Sequence, residues 1–164
     1  MYVLVCGWPA SGKSTLAPLL AAELGWPLLA KDVLKEALTR ALGDPPDVPA
    51  SQQLGRAAVA AMLAVARTCR PAVLESSWVP DSHGDLALLD GPFVEVLCEV
   101  PRALAAERYG LRSRQQPAAH LDSLRDEDEL WGHPPWHPGV GPVLRVNTTR
   151  PVDVPALAAA VRAA

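Results

Sequence analysis

The chain has 164 residues, enough for one folded domain with its own core, and 49% of them are apolar. Its net charge of −3 gives it no general basic character, which disfavours a nucleic-acid partner. No run approaches the 18 apolar residues of a membrane span, and a strand-like run starts at once. We therefore expect neither a membrane segment nor a signal peptide.

The cysteines indicate a reducing environment. There are three, Cys6, Cys69 and Cys98, and an odd number does not form a complete disulfide framework. Cys6 and Cys98 lie in apolar, strand-like runs, where a small buried thiol is the usual interpretation. The spacing of Cys and His does not match a zinc site. We expect a cytoplasmic protein without disulfides or zinc.

The first strand leads into a glycine-bounded loop. Tyr2–Cys6 is continuously apolar, which predicts a strand buried on both faces. The next nine residues, Gly7-Trp8-Pro9-Ala10-Ser11-Gly12-Lys13-Ser14-Thr15, fit the pattern G-x-x-x-x-G-K-[ST]. A helix is predicted over 14–24, ended by Gly25, with its buried side formed by Leu16, Leu19, Leu20 and Leu24.

Residue types in this loop suit a nucleotide phosphate. Gly7 and Gly12 allow backbone angles that a Cβ would disfavour, so successive N–H groups can surround a phosphate at a helix N-terminus. Lys13 would bring a full charge to the β and γ phosphates, and the Ser14 hydroxyl is placed to bind Mg²⁺. The predicted contacts to the nucleotide are Gly7, Pro9, Ala10, Ser11, Gly12, Lys13, Ser14 and Thr15.

An acidic residue follows the second predicted strand, Trp26–Ala30. Asp32 stands at the start of a helix, where Asp is a favourable N-cap. It would also lie at the carboxyl edge of a parallel sheet, where such sheets bind ligands. There the carboxylate could accept the proton of a hydroxyl that attacks the γ-phosphate. The two roles are compatible.

A proline-rich loop is predicted over 43–50, and Ser51 is expected to cap a helix over 51–69. Gln52, Gln53 and Arg56 lie in its first turns. They are interpreted either as ordinary solvated residues or as part of an acceptor pocket.

A second acidic residue follows the third predicted strand, Pro71–Leu74. Glu75 at its tip suggests the acidic partner of a Mg²⁺ site, bound directly or through water. The alternative is a Glu that caps the next turn or pairs with Lys31. His83–Asp85 are expected in a surface loop.

Two arginines follow the fourth predicted strand, Phe93–Val100. Pro101 starts a helix on which Arg108 and Arg112 are four residues apart and share a face. They are either solvated cations at a helix end or an arginine pair that neutralises charge on a transferring phosphoryl group.

The last part of the chain completes an α/β pattern. Residues 115–139 are irregular; they lack metal-ligand spacing and could shape an acceptor pocket. Val143–Asn147 is predicted as the fifth strand and 153–163 as a closing helix. We therefore predict one domain, 1–164, with about five parallel strands and helices on both faces.

With these residues placed, the chain resembles the small P-loop kinases that include polynucleotide 5′-hydroxyl kinase, chloramphenicol phosphotransferase and zeta-toxin-like kinases. In these proteins a carboxylate at the position of Asp32 deprotonates the acceptor hydroxyl. Polynucleotide kinases also carry Asp at the position of Glu75, followed by small polar residues. After their fourth strand come Val-Pro, six residues, Arg, three residues and Arg. Val100-Pro101, Arg108 and Arg112 have the same spacing.

The resemblance implies an ATP-dependent phosphotransferase with Mg²⁺. In it Arg108 and Arg112 belong to a lid at about 102–116, and Arg112 is nearest the transferring phosphate. The stretch 148–151, with Arg150, is then expected to contact the adenine. The sequence itself does not distinguish ATP from GTP. Glu75 is longer than the Asp of the related enzymes. The chain is acidic and lysine-poor, so a small-molecule hydroxyl acceptor is favoured over a polynucleotide 5′ end. The alternative from another class of function is a regulatory module that hydrolyses ATP. The oligomeric state stays open.

Overall fold

The computed structural model describes residues 1–78, 82–113, 121 and 130–164. Its strands are β1 (Tyr2–Cys6), β2 (Leu28–Ala30), β3 (Ala72–Glu75), β4 (Phe93–Glu99) and β5 (Val143–Asn147). Its helices are α1 (Lys13–Leu24), α2 (Lys31–Leu42), α3 (Val48–Ala66), α4 (Ser82–Leu86), α5 (Arg102–Ser113) and α6 (Val154–Ala163).

The five strands form one parallel sheet in the order β2-β3-β1-β4-β5, with β1 at its centre. This confirms the predicted α/β class. Because every strand runs in the same direction, all the carboxyl ends meet at one edge. In the register Ala30 lies opposite Glu75, and Glu75 lies opposite Val5. The residues that follow β1, β2 and β3 therefore come together at that edge.

Helices cover both faces of the sheet, as predicted. On one face α1 and α6 pack on alternate strand residues such as Val3, Val94 and Val146. On the other face α3 and α4 pack on the intervening residues, including Leu4 and Leu74. The strands are thus buried on both sides, which explains their nearly continuous apolar sequences. In the described residues no helix is both long and apolar enough to cross a membrane.

Several element boundaries differ from the prediction. Helix α1 begins at Lys13, and β2 is confined to Leu28–Ala30. Leu19 was predicted on the buried side of α1, but 54% of it is exposed. Strand β3 extends to Glu75, because its backbone continues to pair with both β1 and β2.

The proline-rich loop ends earlier than predicted. Helix α3 begins at Val48, where the Asp47 carboxylate accepts the Ala50 N–H at 2.8 Å, and it ends at Ala66. Pro49 falls in the first turn, where its missing N–H costs no helical hydrogen bond. Ser51 is therefore not the cap; it is buried and accepts a hydrogen bond from Lys35 Nζ at 2.7 Å. The stretch containing His83–Asp85 is helical, in α4, and not a loop.

Candidate active site

The loop between β1 and α1 has the backbone that its glycines predict. Gly7 and Gly12 have φ angles of 131° and 92°, which L side chains rarely adopt. A Cβ at Gly7 would also lie 2.6 Å from the carbonyl oxygen of Cys98 on β4. Ala10 has a φ of 55°, a strained conformation for a residue with a Cβ. The loop is therefore held in a special conformation at three positions, as a backbone phosphate cradle requires.

The Lys13 side chain, in the first turn of α1, folds back against this loop. Its Nζ donates to the carbonyl oxygens of Gly7 at 2.9 Å and Trp8 at 2.6 Å. Burial lowers the pKa of this ammonium, and the nearby Glu75 carboxylate opposes that shift. The cation thus lies beside the loop at the place expected for the β and γ phosphates.

Ser14 and Glu75 form the candidate metal site. The Ser14 hydroxyl donates to Glu75 Oε1 at 3.3 Å. Burial raises the pKa of Glu75, against the opposing effect of Lys13. Hydroxyl and carboxylate oxygens suit Mg²⁺, which keeps several of its waters and needs few protein ligands. No group of three or more His, Cys, Asp or Glu is arranged for a metal in the described parts of the chain. The donor set fits a metal bound together with phosphate.

Asp32 lies in the first turn of α2, directly after β2. The N-cap is Ala30, which makes no side-chain cap hydrogen bond, so the predicted capping role of Asp32 is wrong. Its Oδ1 is 3.0 Å from Lys31 Nζ, and the side chain remains partly exposed to the cavity. Lys31 therefore pairs with Asp32, and the alternative pairing with Glu75 is not seen.

Both predicted arginines of α5 face the same site. Arg108 Nη1 donates to the Thr148 carbonyl oxygen at 3.4 Å. Arg112 lies over the ring of Tyr109, with its Cζ 5.6 Å from the ring centroid. Both arginines line the cavity beside Lys13. The lid was predicted over 102–116; its last residues, 114–116, lie outside the described residues.

These side chains enclose one cavity of about 620 Å³, within the usual size of a small-molecule site. It is lined by Pro9, Ala10, Gly12, Lys13, Ser14, Thr15, Leu16, Leu19, Asp32, Glu75, Ser77, Arg108, Arg112, Thr148, Arg150, Pro151, Val152 and Val154. Gly7 and Ser11 are buried behind it. Three residues of α3 had two interpretations, as solvated residues or as part of an acceptor pocket. They are solvent-exposed and do not line this cavity: Gln52, Gln53 and Arg56.

Thr148 supports the loop in a way that the sequence did not predict. Its Oγ1 donates to the Ser11 carbonyl oxygen at 2.6 Å, and a Cβ at Gly12 would lie 3.3 Å from the Thr148 Cβ. The turn after β5 thus holds the phosphate loop directly. The only sequence signal was its place after the last strand, near the predicted adenine contacts.

The sequence did not predict the apolar side of this cavity. Leu16, Leu19, Val152 and Val154 line the cavity beside Arg150. The exposure of Leu19, unusual for a leucine on a helix that packs on the sheet, is explained by this lining.

Comparisons with known proteins agree with this geometry. A family model described as an AAA domain matches residues 3–129, so the chain belongs to that family. A provisionally named kinase from Chloroflexus aurantiacus j-10-fl is 28% identical, over 99% of this chain and 96% of its own, with a TM-score of 0.81. A search of curated proteins finds no match.

Two more distant structures share the fold. A shikimate kinase from Acinetobacter baumannii, solved with shikimate, is 19% identical over 98% of this chain and 90% of its own, with a TM-score of 0.60. A gluconokinase from Sinorhizobium meliloti 1021 is 21% identical over 99% and 91%, with a TM-score of 0.59. The resemblance to small P-loop kinases is thereby confirmed, and an ATP-dependent kinase is supported.

Proposed function

We propose that this protein transfers the γ-phosphoryl group of ATP to a hydroxyl of a small molecule. One observation carries the proposal: a single cavity is lined by a phosphate-loop lysine, a hydroxyl–carboxylate pair, a second carboxylate and two arginines. Phosphoryl transfer is catalysed almost entirely by positioning and by neutralising charge, and these are the groups it needs.

The nucleotide would occupy the side of the cavity formed by α1 and the turn after β5. Backbone N–H groups of the loop and Lys13 Nζ would hold the triphosphate. Leu19, Arg150 and Val152 would contact the base. Ser14 and Glu75 would hold Mg²⁺, with Glu75 bound directly or through a water; when bound, the metal neutralises charge on the phosphate oxygens.

Asp32 would be the general base. It lies at the same sheet edge as the loop, and its partly exposed carboxylate faces the cavity. An ionised carboxylate at this position is the group that can accept a proton from an attacking hydroxyl. Arg108 and Arg112 would then neutralise charge on the phosphoryl group as it moves.

A small acceptor is favoured over a polynucleotide. The chain carries a net charge of −3, whereas a nucleic-acid track needs clustered cations along an exposed face. Two proteins of the same fold are named for small hydroxyl compounds, shikimate and gluconate. The cavity volume suits acceptors of that class.

The test is an acceptor screen with ATP labelled at the γ-phosphate, across sugars, hydroxy acids, antibiotics, nucleosides and 5′-hydroxyl oligonucleotides. We expect label on one class of small molecule, and its loss in Asp32→Ala and Lys13→Ala. Label on oligonucleotides, with an affinity that falls steeply with salt, would instead indicate a polynucleotide kinase. ATP hydrolysis without any labelled acceptor would indicate a regulatory ATPase.

A further inference from the structure

A third apolar cluster lies between the phosphate loop and α5. Its buried members are Val100, Ala105, Tyr109, Leu130 and Trp131, and Trp8, Ala10 and Ala106 pack against it. Trp131 packs between the loop residues and the α5 residues of this cluster. Only 6% of it is exposed, although it belongs to a region of irregular sequence. One side of this cluster is the phosphate loop, and another is the helix that bears both cavity arginines.

The aromatic rings in this cluster are arranged edge to face. Trp131 lies 6.1 Å from the ring of Trp8 at 78°, and 5.8 Å from the ring of Tyr109 at 89°. These are favourable geometries with a defined direction, so each ring restricts the others. Tyr109 in turn carries the Arg112 guanidinium on its face. A continuous path of contacts therefore runs from Trp8 to Arg112.

The segment that carries Trp131 is attached at further points. The Trp8 indole Nε1 donates to the His133 carbonyl oxygen at 3.0 Å. Further along the chain, the buried Glu95 carboxylate accepts a hydrogen bond from His137 Nδ1 at 2.7 Å and another from the Gly141 N–H at 3.2 Å. Trp131 thus belongs to a segment that is tied both to the phosphate loop and to the sheet.

We infer that Trp131 is a positioning residue, which sets the place of Arg112 relative to the phosphate loop through its contacts with Trp8 and Tyr109. This inference rests on the proposed function, because it assumes that Arg112 acts on the transferring phosphoryl group. Trp131 does not line the cavity. Its effect should therefore appear in turnover and not in nucleotide affinity.

The test is a double-mutant cycle of Trp131→Ala and Arg112→Ala, read as phosphate release from Mg·ATP with water as the acceptor. Trp131→Ala alone should lower kcat about 10-fold, an ordinary size for a change that acts through neighbouring contacts. Binding of a non-hydrolysable ATP analogue should stay within about twofold. In the Arg112→Ala background, Trp131→Ala should have almost no further effect on kcat.

Two variants separate positioning from general stability. Trp131→Phe keeps an aromatic edge and should restore most of kcat, whereas Trp136→Ala is a matched control. Trp136 packs against a different apolar cluster, the one that α3 and α4 cover, so its loss should lower the melting temperature and leave kcat unchanged. Should Trp131→Ala fail to fold, Tyr109→Leu keeps apolar volume, removes the ring under Arg112 and takes its place in the cycle.

The inference would be overturned if the two substitutions lowered kcat independently, so that their effects multiplied in the double variant. It would also be overturned if Trp131→Ala left kcat unchanged, or weakened only the binding of the ATP analogue. A wild-type protein that releases no phosphate would remove the premise about Arg112, and the inference would fall with it. Hydrolysis without any labelled acceptor would contradict only the proposed acceptor reaction, because the cycle is read with water.

Discussion

Two buried glutamates, on the two strands that flank β1, have opposite surroundings. Glu75 on β3 and Glu95 on β4 lie beside Val5 and Leu4 of the central strand, and each is at most 3% exposed. Among the described residues, Glu75 accepts one hydrogen bond, from Ser14 at 3.3 Å. Glu95 accepts from the His137 ring and from the backbone N–H groups of Val140 and Gly141.

This contrast supports the proposed metal role of Glu75 and a structural role for Glu95. A buried carboxylate is costly unless its oxygens are well partnered. Glu95 meets that condition within the protein, and it thereby fixes the segment that ends at Gly141. Glu75 leaves oxygen capacity at the cavity, where a hydrated cation would satisfy it. Burial accordingly raises the pKa of Glu75.

Among the substitutions that test this contrast, Glu75→Gln is expected to have the largest effect on function. The amide keeps the shape and removes the charge, so kcat at a fixed Mg²⁺ concentration should fall about 10- to 100-fold. The free energy of unfolding should change by less than about 1 kcal/mol, because the lost desolvation cost offsets the lost attraction to Lys13. Steady-state kinetics across a Mg²⁺ titration check this; unchanged Mg²⁺ dependence would contradict the metal role.

Glu95→Gln should show the reverse pattern. Its amide group cannot accept all the donors that meet the carboxylate, so unfolding should become easier by about 2 kcal/mol. That loss corresponds to a melting temperature about 4–8 °C lower for a chain of this size. The kcat of the folded protein should stay close to wild type. Equal losses of activity in the two glutamine variants would erase the proposed distinction between the two carboxylates.

A smaller effect is expected from Thr148→Val, which removes the hydrogen bond to the phosphate loop but keeps the branched shape. Loss of one such bond costs about 1 kcal/mol, so ATP affinity should weaken about fivefold. Thr149→Val is the matched control, because Thr149 Oγ1 bonds to Asn147 and not to the loop. Calorimetric titration with an ATP analogue measures both; equal affinities would contradict a supporting role for Thr148.

The smallest effect is a difference in how stability depends on pH. Glu75 binds its proton more tightly in the folded protein than at the usual pKa of 4.5. Its contribution therefore makes the free energy of unfolding fall as the pH rises from about 4.5 through the raised pKa. Glu75→Gln should lack this contribution. Melting temperatures of the two proteins over pH 4.5–7 should diverge, and parallel curves would contradict the raised pKa.

The sequence predicted the parts of the site that depend on local pattern. The glycine spacing predicted the loop, and the apolar strands predicted a parallel sheet. Because parallel strands end at one edge, Asp32 and Glu75 could be placed near Lys13 without coordinates. The spacing of Arg108 and Arg112 predicted their shared face on α5.

What the sequence missed depends on side chains far apart along the chain. Ser11 and Thr148, Trp8 and Trp131, and Glu95 and His137 meet only after the chain has folded. Neither periodicity nor spacing links the members of such pairs. Glu95 is a single charged residue within an apolar strand, and nothing in the local sequence predicts that it is fully buried. The early start of α3 had a local signal, Asp47 before Pro49, which the surrounding prolines obscured.

The central claim, that the cavity joins a nucleotide site to a general base, is tested most directly by Asp32→Ala. The measurement compares ATP affinity with the rate of label transfer to the acceptor found in the screen. We predict a rate about 10²–10⁴-fold lower, with an ATP dissociation constant changed by no more than about threefold. Full transfer activity in Asp32→Ala would contradict the account.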